Sequence, residues 1–229
     1  MRTRRAALIV FCREPIAGET KTRLIGHVTA RAAAALSDAF IRDALRKAQL
    51  VKPSRLIIAA SAPDGAARSK YFRRLSHEFR SELIDQGKGS LGAKMARSLE
   101  PYADNGVLLI GADTPTVPID LLARCLVLVQ PKRVVIAPSL DGGYWGIGVH
   151  GAIPTIFTGI RWGGSNVLAA TLKRLAQKKI AYALGPAWYD IDRWDDVLLL
   201  ARHLDLMPRA IESHPCPATA KLMERLMNQ

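Results

Sequence analysis

The chain has 229 residues, of which 49% are hydrophobic and 23% charged, so we expect one globular domain with a sizeable core. These proportions exclude disordered and fibrous proteins, and no apolar run approaches the roughly 18 to 20 residues that span a bilayer. The apolar run Ala6–Phe11 is also too short for a signal-peptide core, which favours a cytoplasmic protein. Three widely spaced cysteines, Cys12, Cys125 and Cys216, favour reduced thiols over a disulfide framework.

The formal net charge of +13 favours anionic ligands. Basic residues such as Arg46 and Lys47 fall on an amphipathic helix, where we expect a solvated surface that attracts a phosphorylated substrate. There is no run of five or six like charges and no basic strand interleaved with aromatic residues. This pattern argues against nucleic acid as a partner.

The hydrophobic pattern alternates between the periods of strands and helices from the first residues to Pro138. In chain order it predicts strand Ala6–Phe11, helix Val28–Leu50, strand Arg55–Ala60, helix Gly65–Ser76, strand Leu83–Ile84, helix Leu91–Tyr102, strand Val107–Ile110, helix Ile119–Val129 and strand Arg133–Ala137. Such alternation is typical of an α/β fold with a mainly parallel sheet and helices on both of its faces.

The alternation of strand and helix periods changes after Pro138. The segment Asp141–Val149 is rich in glycine yet apolar, which indicates a strand that is closely approached or that crosses the sheet in the opposite direction. We therefore expect a mixed sheet. The remaining predicted elements are helix Ser165–Lys178, strand Ile180–Leu184, the segment Trp188–Asp192, a helix through Leu206 and a short amphipathic helix Pro217–Met227.

The segment Val107–Pro115 is a buried strand that ends on a single carboxylate, Asp113. Ligands of open α/β sheets bind beyond the carboxyl ends of the strands, so this acid is well placed to hold a metal ion or a ligand hydroxyl. The alternative is that Asp113 only caps the helix that follows Pro118.

The loop Arg13–Leu24 after the first strand carries a glycine and two cations, Lys21 and Arg23. Backbone N–H groups and fixed positive charge are what a phosphate chain requires. The loop lacks the glycine spacing of a Walker A motif and of a dinucleotide-binding fingerprint. The alternative is that its cations are ordinary solvated charges.

As a set, these segments resemble the bacterial glycosyltransferase-like family catalogued as domain of unknown function 2064, within the nucleotide-diphospho-sugar transferase superfamily. The matching residues are Arg13–Pro15, Gly18–Leu24, Gln86–Gly87, Leu91–Gly92, Gly111–Pro115, Asp141–Tyr144, Ile147–Gly148, Phe157–Trp162 and Asp190–Asp192.

The resemblance implies a GT-A fold, a three-layer α/β/α arrangement around a mixed, mainly parallel central sheet. It also implies that residues 1–229 form a single GT-A-like domain. Residues 1–115 would then be the nucleotide-binding half, and residues 116–229 the acceptor half with the C-terminal helices.

The resemblance also assigns roles to individual residues on the donor side. Asp113 and Asp192 would hold a divalent cation, Mg²⁺ or Mn²⁺, with Asp190 competing for the place of Asp192; both could instead cap the helix that begins at Arg193. Lys21 is expected to take part in catalysis with Asp113. The residues expected to bind the nucleotide are Arg13, Gly18, Lys21, Arg23, Gln86 and Gly92.

On the acceptor side, the glycines would let a sugar lie against the backbone, and the aromatic rings would stack on it. The residues expected there are Asp141, Gly142, Gly143, Tyr144 and Trp162. Asp141 is our candidate general base for an inverting transfer. The alternative is a glycine-rich turn with Tyr144 and Trp145 in the core.

These assignments predict a metal-dependent glycosyltransferase that moves a sugar from a nucleotide-sugar to a small-molecule or lipid-linked acceptor. Two alternatives use the same site. One is a nucleotidyltransferase, in which a phosphorylated acceptor attacks a nucleoside triphosphate and pyrophosphate leaves. The other is a catalytically silent nucleotide-binding protein.

Overall fold

The structure is a computed structural model that describes residues 5–151, 155–207 and 214–227. Its strands are β1 (Ala7–Arg13), β2 (Leu56–Ser61), β3 (Glu82–Asp85), β4 (Val107–Gly111), β5 (Arg133–Pro138), β6 (Tyr144–Val149) and β7 (Ala181–Leu184). Its α-helices are α1 (Ala30–Leu50), α2 (Lys70–Glu78), α3 (Leu91–Leu99), α4 (Ile119–Leu128), α5 (Val167–Gln177), α6 (Trp194–Asp205) and α7 (Pro217–Met227). Every predicted element is present.

The strands form one seven-stranded sheet in the order β3-β2-β1-β4-β6-β5-β7. All neighbours are parallel except β6, which runs antiparallel to both β4 and β5. The predicted mixed, mainly parallel sheet is confirmed. The glycines of β6 serve close packing, because a Cβ on Gly148 would lie 2.8 Å from the Val129 side chain.

Most helix limits lie within two residues of their predicted positions, and the two larger differences have local causes. The second helix begins at Lys70 rather than Gly65, because the Ser69 hydroxyl caps it by accepting from Phe72 N. The third ends at Leu99 and continues as a 3-10 helix, Glu100–Asn105, where Pro101 cannot donate the backbone hydrogen bond of an α-helix.

Apolar side chains cover both faces of the sheet. One cluster packs α1, α2 and α4 against one face, and a second packs α3 and α5 against the other. A third cluster joins α1, α6 and α7 beyond the end of the sheet. It contains Leu24 and Ile191, two fully buried residues that flank the candidate site.

Helix α7 is fixed to α1 by a buried carboxylate. The side chain of Asp43 accepts hydrogen bonds from Ala218 N at 3.1 Å and Thr219 N at 2.8 Å, in the first turn of α7. Carboxylates are favourable at this end of a helix, where N–H groups lack partners. Over the three described ranges, no helix has the length and apolar character that crossing a membrane requires.

Candidate functional site

A cleft of about 760 Å³ lies at the carboxyl ends of β1 and β4. Ligands of open α/β sheets bind at this edge. Its charged lining residues are Arg13, Glu19, Lys21, Arg23, Lys94, Asp113, Asp190 and Asp192, four cations and four acids.

The loop after β1 is braced by its own backbone. The buried Thr20 hydroxyl donates to Glu14 O and accepts from Ile16 N. Lys21 then adopts a left-handed conformation with φ of 52°, immediately before a 3-10 helix, Thr22–Leu24. This fixed backbone directs the Lys21 side chain into the cleft.

The segment before α6 meets the end of β4. Ile191 N donates to Asp113 O at 2.9 Å, and the Ile191 side chain is completely buried. Because successive side chains of an extended segment point to opposite sides, burying Ile191 turns its neighbours Asp190 and Asp192 towards the cleft. Both line it.

Lys21 lies where the end of β4 meets the segment before α6. Its Nζ lies 2.8 Å from Asp113 Oδ1 and 2.9 Å from Asp192 Oδ1, and it also donates to Ile191 O. The Lys21 side chain is 6% exposed, whereas those of Asp113 and Asp192 are 48% and 41% exposed. Arg23 approaches the second carboxylate from the solvent side, with Nη1 3.5 Å from Asp192 Oδ2.

The pKa values reflect this pairing. Burial acts to lower the pKa of Lys21, but Asp113 and Asp192 outweigh it and the pKa is raised. Burial acts to raise the pKa of Asp192, but Lys21 and then Arg23 outweigh it and the pKa is lowered. Lys21 and Asp192 are therefore each held in the charged form.

Neither aspartate is a helix cap. Helix α4 begins after Pro118 without a side-chain cap, and the backbone N–H groups of Asp192 and Arg193 donate to Asp196 instead. The helix-cap alternative for Asp113 and Asp192 is therefore excluded, and both carboxylates remain directed at the cleft.

Asp190 lies beside this cluster. Ser139 Oγ donates to its Oδ1 at 2.6 Å. Burial, followed by the negative charges of Asp141 and Asp192, raises the pKa of Asp190, although the Ser139 hydrogen bond opposes this shift. Asp190 does not share Lys21 with the other two carboxylates.

The residues predicted to bind the nucleotide divide into two groups. Arg13, Lys21, Arg23 and Gln86 line the cleft, whereas Gly18 and Gly92 do not. The Gln86 amide nitrogen donates to Cys12 O and Ala59 O, which ties together the ends of β1 and β2. A Cβ on Gly92 would lie 2.7 Å from the Trp162 ring. The ring can therefore pack against α3 only because this residue has no side chain.

Of the residues predicted on the acceptor side, all within the described ranges, Tyr144 alone lines the cleft. Its ring meets the Trp162 ring edge to face, with centroids 6.3 Å apart. The Asp141 carboxylate accepts from Gly143 N at 2.8 Å and so closes the turn between β5 and β6. Trp145 is buried, as the glycine-rich-turn alternative expects.

Gly142 within this turn should not tolerate a side chain. Its φ is +91°, and a Cβ would lie 1.9 Å from Ser165 O. We expect Gly142→Ala to lower the free energy of unfolding by about 2 kcal/mol, through backbone strain and displacement of the start of α5. Urea denaturation measures this change. Gly163→Ala is the matched control, because φ there is +82° and nothing lies within 4 Å of the added Cβ. Equal losses in the two variants would show that the close approach is unimportant.

Lys47 corrects the expectation of a solvated basic helix face. It is 1% exposed, and its Nζ donates to Thr114 O at 3.3 Å, Pro115 O at 2.6 Å and Val117 O at 3.1 Å. It therefore holds the turn that follows Asp113. A lysine inside an amphipathic helix pattern gives no signal of such burial.

Lys94 was also missed. It lines the cleft from the first turns of α3. Its position two residues after the Leu91–Gly92 pair was its signal in the sequence.

The donor atoms fit a divalent cation. Two carboxylate oxygens lie within 3 Å of a single point that already holds a positive charge. Oxygen ligands suit Mg²⁺ and Mn²⁺, and Mg²⁺ often takes only one or two carboxylates, with phosphate and water completing its shell. In the described ranges, His, Cys, Asp and Glu form no group of three or more suited to a metal ion, so water or a substrate would supply the remaining ligands of a cation here.

Comparisons with solved structures place the fold. The chain is similar to a protein from Desulfovibrio desulfuricans G20 designated a candidate nucleotide-diphospho-sugar transferase, with 25% identity, a TM-score of 0.80 and coverage of 96% of this chain and 97% of that one. A nucleotidyl transferase from Methanothermobacter thermautotrophicus is 13% identical, with a TM-score of 0.57 and coverage of 87% and 97%. The 4-diphosphocytidyl-2C-methyl-D-erythritol synthase of Anaerococcus prevotii is 9% identical, with a TM-score of 0.57 and coverage of 88% and 96%.

The fold is that of the nucleotide-diphospho-sugar transferases, as the sequence predicted. No curated protein sequence matches the chain significantly. A family profile described as "Uncharacterized protein conserved in bacteria (DUF2064)" matches residues 43–164, more than half of the chain. The chain belongs to this DUF2064 family.

Proposed function

We propose that the protein is a transferase that uses a nucleotide-activated donor, and that it moves a sugar from a nucleotide-sugar to an acceptor hydroxyl. The observation that carries this proposal is the meeting of Lys21, Asp113 and Asp192 at the carboxyl edge of the sheet. These groups supply both signs of charge that a cation and a diphosphate need. The resemblance of the whole fold to a candidate nucleotide-diphospho-sugar transferase supports the same class of substrate.

In this reaction the bond between the sugar carbon and the diphosphate oxygen breaks, and a bond from the acceptor oxygen to that carbon forms. Negative charge collects on the departing nucleoside diphosphate. Lys21 and Arg23 are placed to stabilise that charge, since both line the cleft beside the strand ends. A divalent cation held by Asp113 and Asp192 would add Lewis-acid stabilisation of the leaving group.

The acceptor half of the site is proposed around the β5–β6 turn. The ring of Tyr144 lines the cleft, and the exposed carboxylate of Asp141, although outside this lining, lies near enough to Asp190 for its charge to raise the pKa of Asp190. Asp141 remains our candidate for the group that removes the proton of the acceptor hydroxyl. Its contact with Gly143 N holds the carboxylate in one orientation.

A nucleotidyltransferase is the second candidate, and one observation favours it. The cleft offers Arg13, Arg23 and Lys94 in addition to Lys21. This is enough positive charge for a triphosphate, whose α-phosphate would be attacked by a phosphorylated acceptor with release of pyrophosphate.

Product analysis separates these candidates. The protein is screened by thermal shift against UDP, GDP, UDP-sugars and nucleoside triphosphates, each with and without Mn²⁺, and the stabilising compounds are then followed by ³¹P NMR. We expect a nucleoside diphosphate to appear from a nucleotide-sugar. Release of pyrophosphate from a triphosphate would favour nucleotidyl transfer, and binding without turnover would favour the catalytically silent protein. No stabilisation by any nucleotide would contradict the proposal as a whole.

A further inference from the structure

Lys21 fills the position that a bound cation would take. An ammonium group has three N–H donors, and those of Lys21 have three acceptors in Asp113, Asp192 and Ile191 O. The side chain is nearly buried, with Nζ 5.8 Å from the centre of the Phe40 ring. The two aspartates therefore already have a cation, supplied by the chain itself.

The charges of this cluster balance without any ligand. Two carboxylates face Lys21, and Arg23 adds a second positive charge beside Asp192. A phosphate chain arriving alone has to compete with two aspartates for Lys21. A divalent cation arriving alone has to compete with Lys21 for the same two aspartates. A cation that displaces Lys21 leaves its nearly buried ammonium without a partner, which is costly. Phosphates that draw Lys21 away leave two half-exposed carboxylates facing each other without a cation between them.

When both ligands arrive together, no charge is left unpaired. The carboxylates turn from the ammonium to the cation, and the ammonium turns to the phosphates. The backbone can stay in place during this exchange, because the hydrogen bonds of Thr20 and the bond from Leu24 N to Lys21 O fix both sides of the residue. Only the side-chain torsions of Lys21 need to change.

We propose that Lys21 exchanges places with a divalent cation. In the free protein it neutralises Asp113 and Asp192, and it moves to the phosphates of the donor when the cation takes its position. Cation and nucleotide then bind with positive cooperativity, and each raises the affinity for the other by the same factor. The receiving phosphate rests on the proposed function, whereas the competition between Lys21 and the cation does not.

Binding of Mn²⁺ to the whole protein without nucleotide tests the competition directly. Free Mn²⁺ is measured by electron paramagnetic resonance for the wild type, Lys21→Met and Arg23→Met. We expect Lys21→Met to bind Mn²⁺ about tenfold or more tightly than the wild type, because its aspartates have lost their internal cation. Arg23→Met is the matched control: it removes one positive charge near Asp192 but leaves the cation position filled, so its affinity should change by less than about threefold.

The melting temperature of Lys21→Met, measured with and without Mn²⁺, shows whether the variant is folded. Without Lys21 the two aspartates repel each other, so Mn²⁺ should raise the melting temperature of Lys21→Met more than that of the wild type. Adding UDP or GDP should then strengthen Mn²⁺ binding in the wild type and much less in Lys21→Met.

Three results would overturn the inference. If Lys21→Met and Arg23→Met bind Mn²⁺ equally, the exchange is wrong, while the proposed transfer stands. If Lys21→Met binds more weakly than the wild type, Lys21 assists the cation rather than competing with it. If no variant binds Mn²⁺ at millimolar concentration, either alone or with UDP or GDP present, both the exchange and the cation in the proposed function are wrong.

Discussion

Replacing Asp113 by asparagine should lower turnover of the nucleotide donor by about 100- to 1000-fold, the range seen when one preorganised charge-stabilising group is lost. Asparagine keeps the size of the side chain and removes its charge. Asp113 lies two residues beyond the end of β4, and its backbone carbonyl is held by the hydrogen bond from Ile191 N. The rate is measured by coupled detection of the nucleoside diphosphate or pyrophosphate.

The fold should survive this change. The backbone bond from Ile191 N to Asp113 O does not involve the side chain, and Lys21 keeps its contacts with Asp192 and Ile191 O. We expect the free energy of unfolding to change by less than about 1 kcal/mol, because the side chain is half exposed. Asp120→Asn, an exposed carboxylate on the first turn of α4, is the control and should retain full activity. An Asp113→Asn protein with at least a third of the wild-type rate would contradict the assigned role.

The sheet was predictable because its signals are local. The run of β1 is apolar up to Arg13 at its end and that of β4 is apolar throughout, as expected for strands covered on both faces. Asp113 after β4 and the cationic loop after β1 could be assigned to one edge, since parallel strands present their carboxyl ends together. The antiparallel β6 was indicated by the unusual glycine content of the nine consecutive residues Asp141–Val149.

The contacts within the site were not predictable, because they join parts of the chain that are distant in sequence. Lys21 and Asp192 are 171 positions apart and meet only after Leu24 and Ile191 enter the same apolar cluster. The left-handed backbone at Lys21 also has no signature, because lysine rarely adopts it. The sequence therefore assigned Lys21 to the phosphates without showing that it first neutralises the aspartates.

The burial of Lys47 is a second feature that the sequence does not predict. In a helix pattern a lysine counts as polar, and the expectation is a solvated face. Its burial depends on three carbonyl groups from the turn after β4, whose positions are set by the whole sheet. Only a three-dimensional arrangement reveals that this one cation serves as a structural donor.

Replacing Lys47 by methionine should lower the free energy of unfolding at pH 7 by about 3 kcal/mol. Methionine fills most of the volume but leaves the carbonyl groups of Thr114, Pro115 and Val117 without their buried donor, and each such loss costs about 1 to 3 kcal/mol before the turn relaxes. Asp43 also loses a nearby positive charge. Arg31→Met, an exposed cation on the first turn of the same helix, is the control and should change stability by less than about 0.5 kcal/mol.

The destabilisation caused by Lys47→Met should increase as the pH rises. Burial lowers the pKa of Lys47 to about 8, opposed by Cys216 and Asp43 and assisted by Arg46. Between about pH 8 and the ordinary lysine value near 10.4, the unfolded chain binds more protons at this residue than the folded one. The stability of the wild type therefore gains a contribution as the pH rises through this window, and Lys47→Met lacks it.

Urea denaturation of both proteins at pH 7, 8.5 and 9.5 gives the difference between their free energies of unfolding. The contributions of the other titrating groups are nearly the same in both proteins and largely cancel in this difference. The difference in free energy of unfolding between the wild type and Lys47→Met should increase by about 1 to 2 kcal/mol from pH 7 to pH 9.5, because one pKa unit corresponds to about 1.4 kcal/mol. A difference that decreases with rising pH would mean that the charged form of Lys47 is the one the fold prefers. In that case its three hydrogen bonds to the turn after β4 would outweigh the cost of burying its charge.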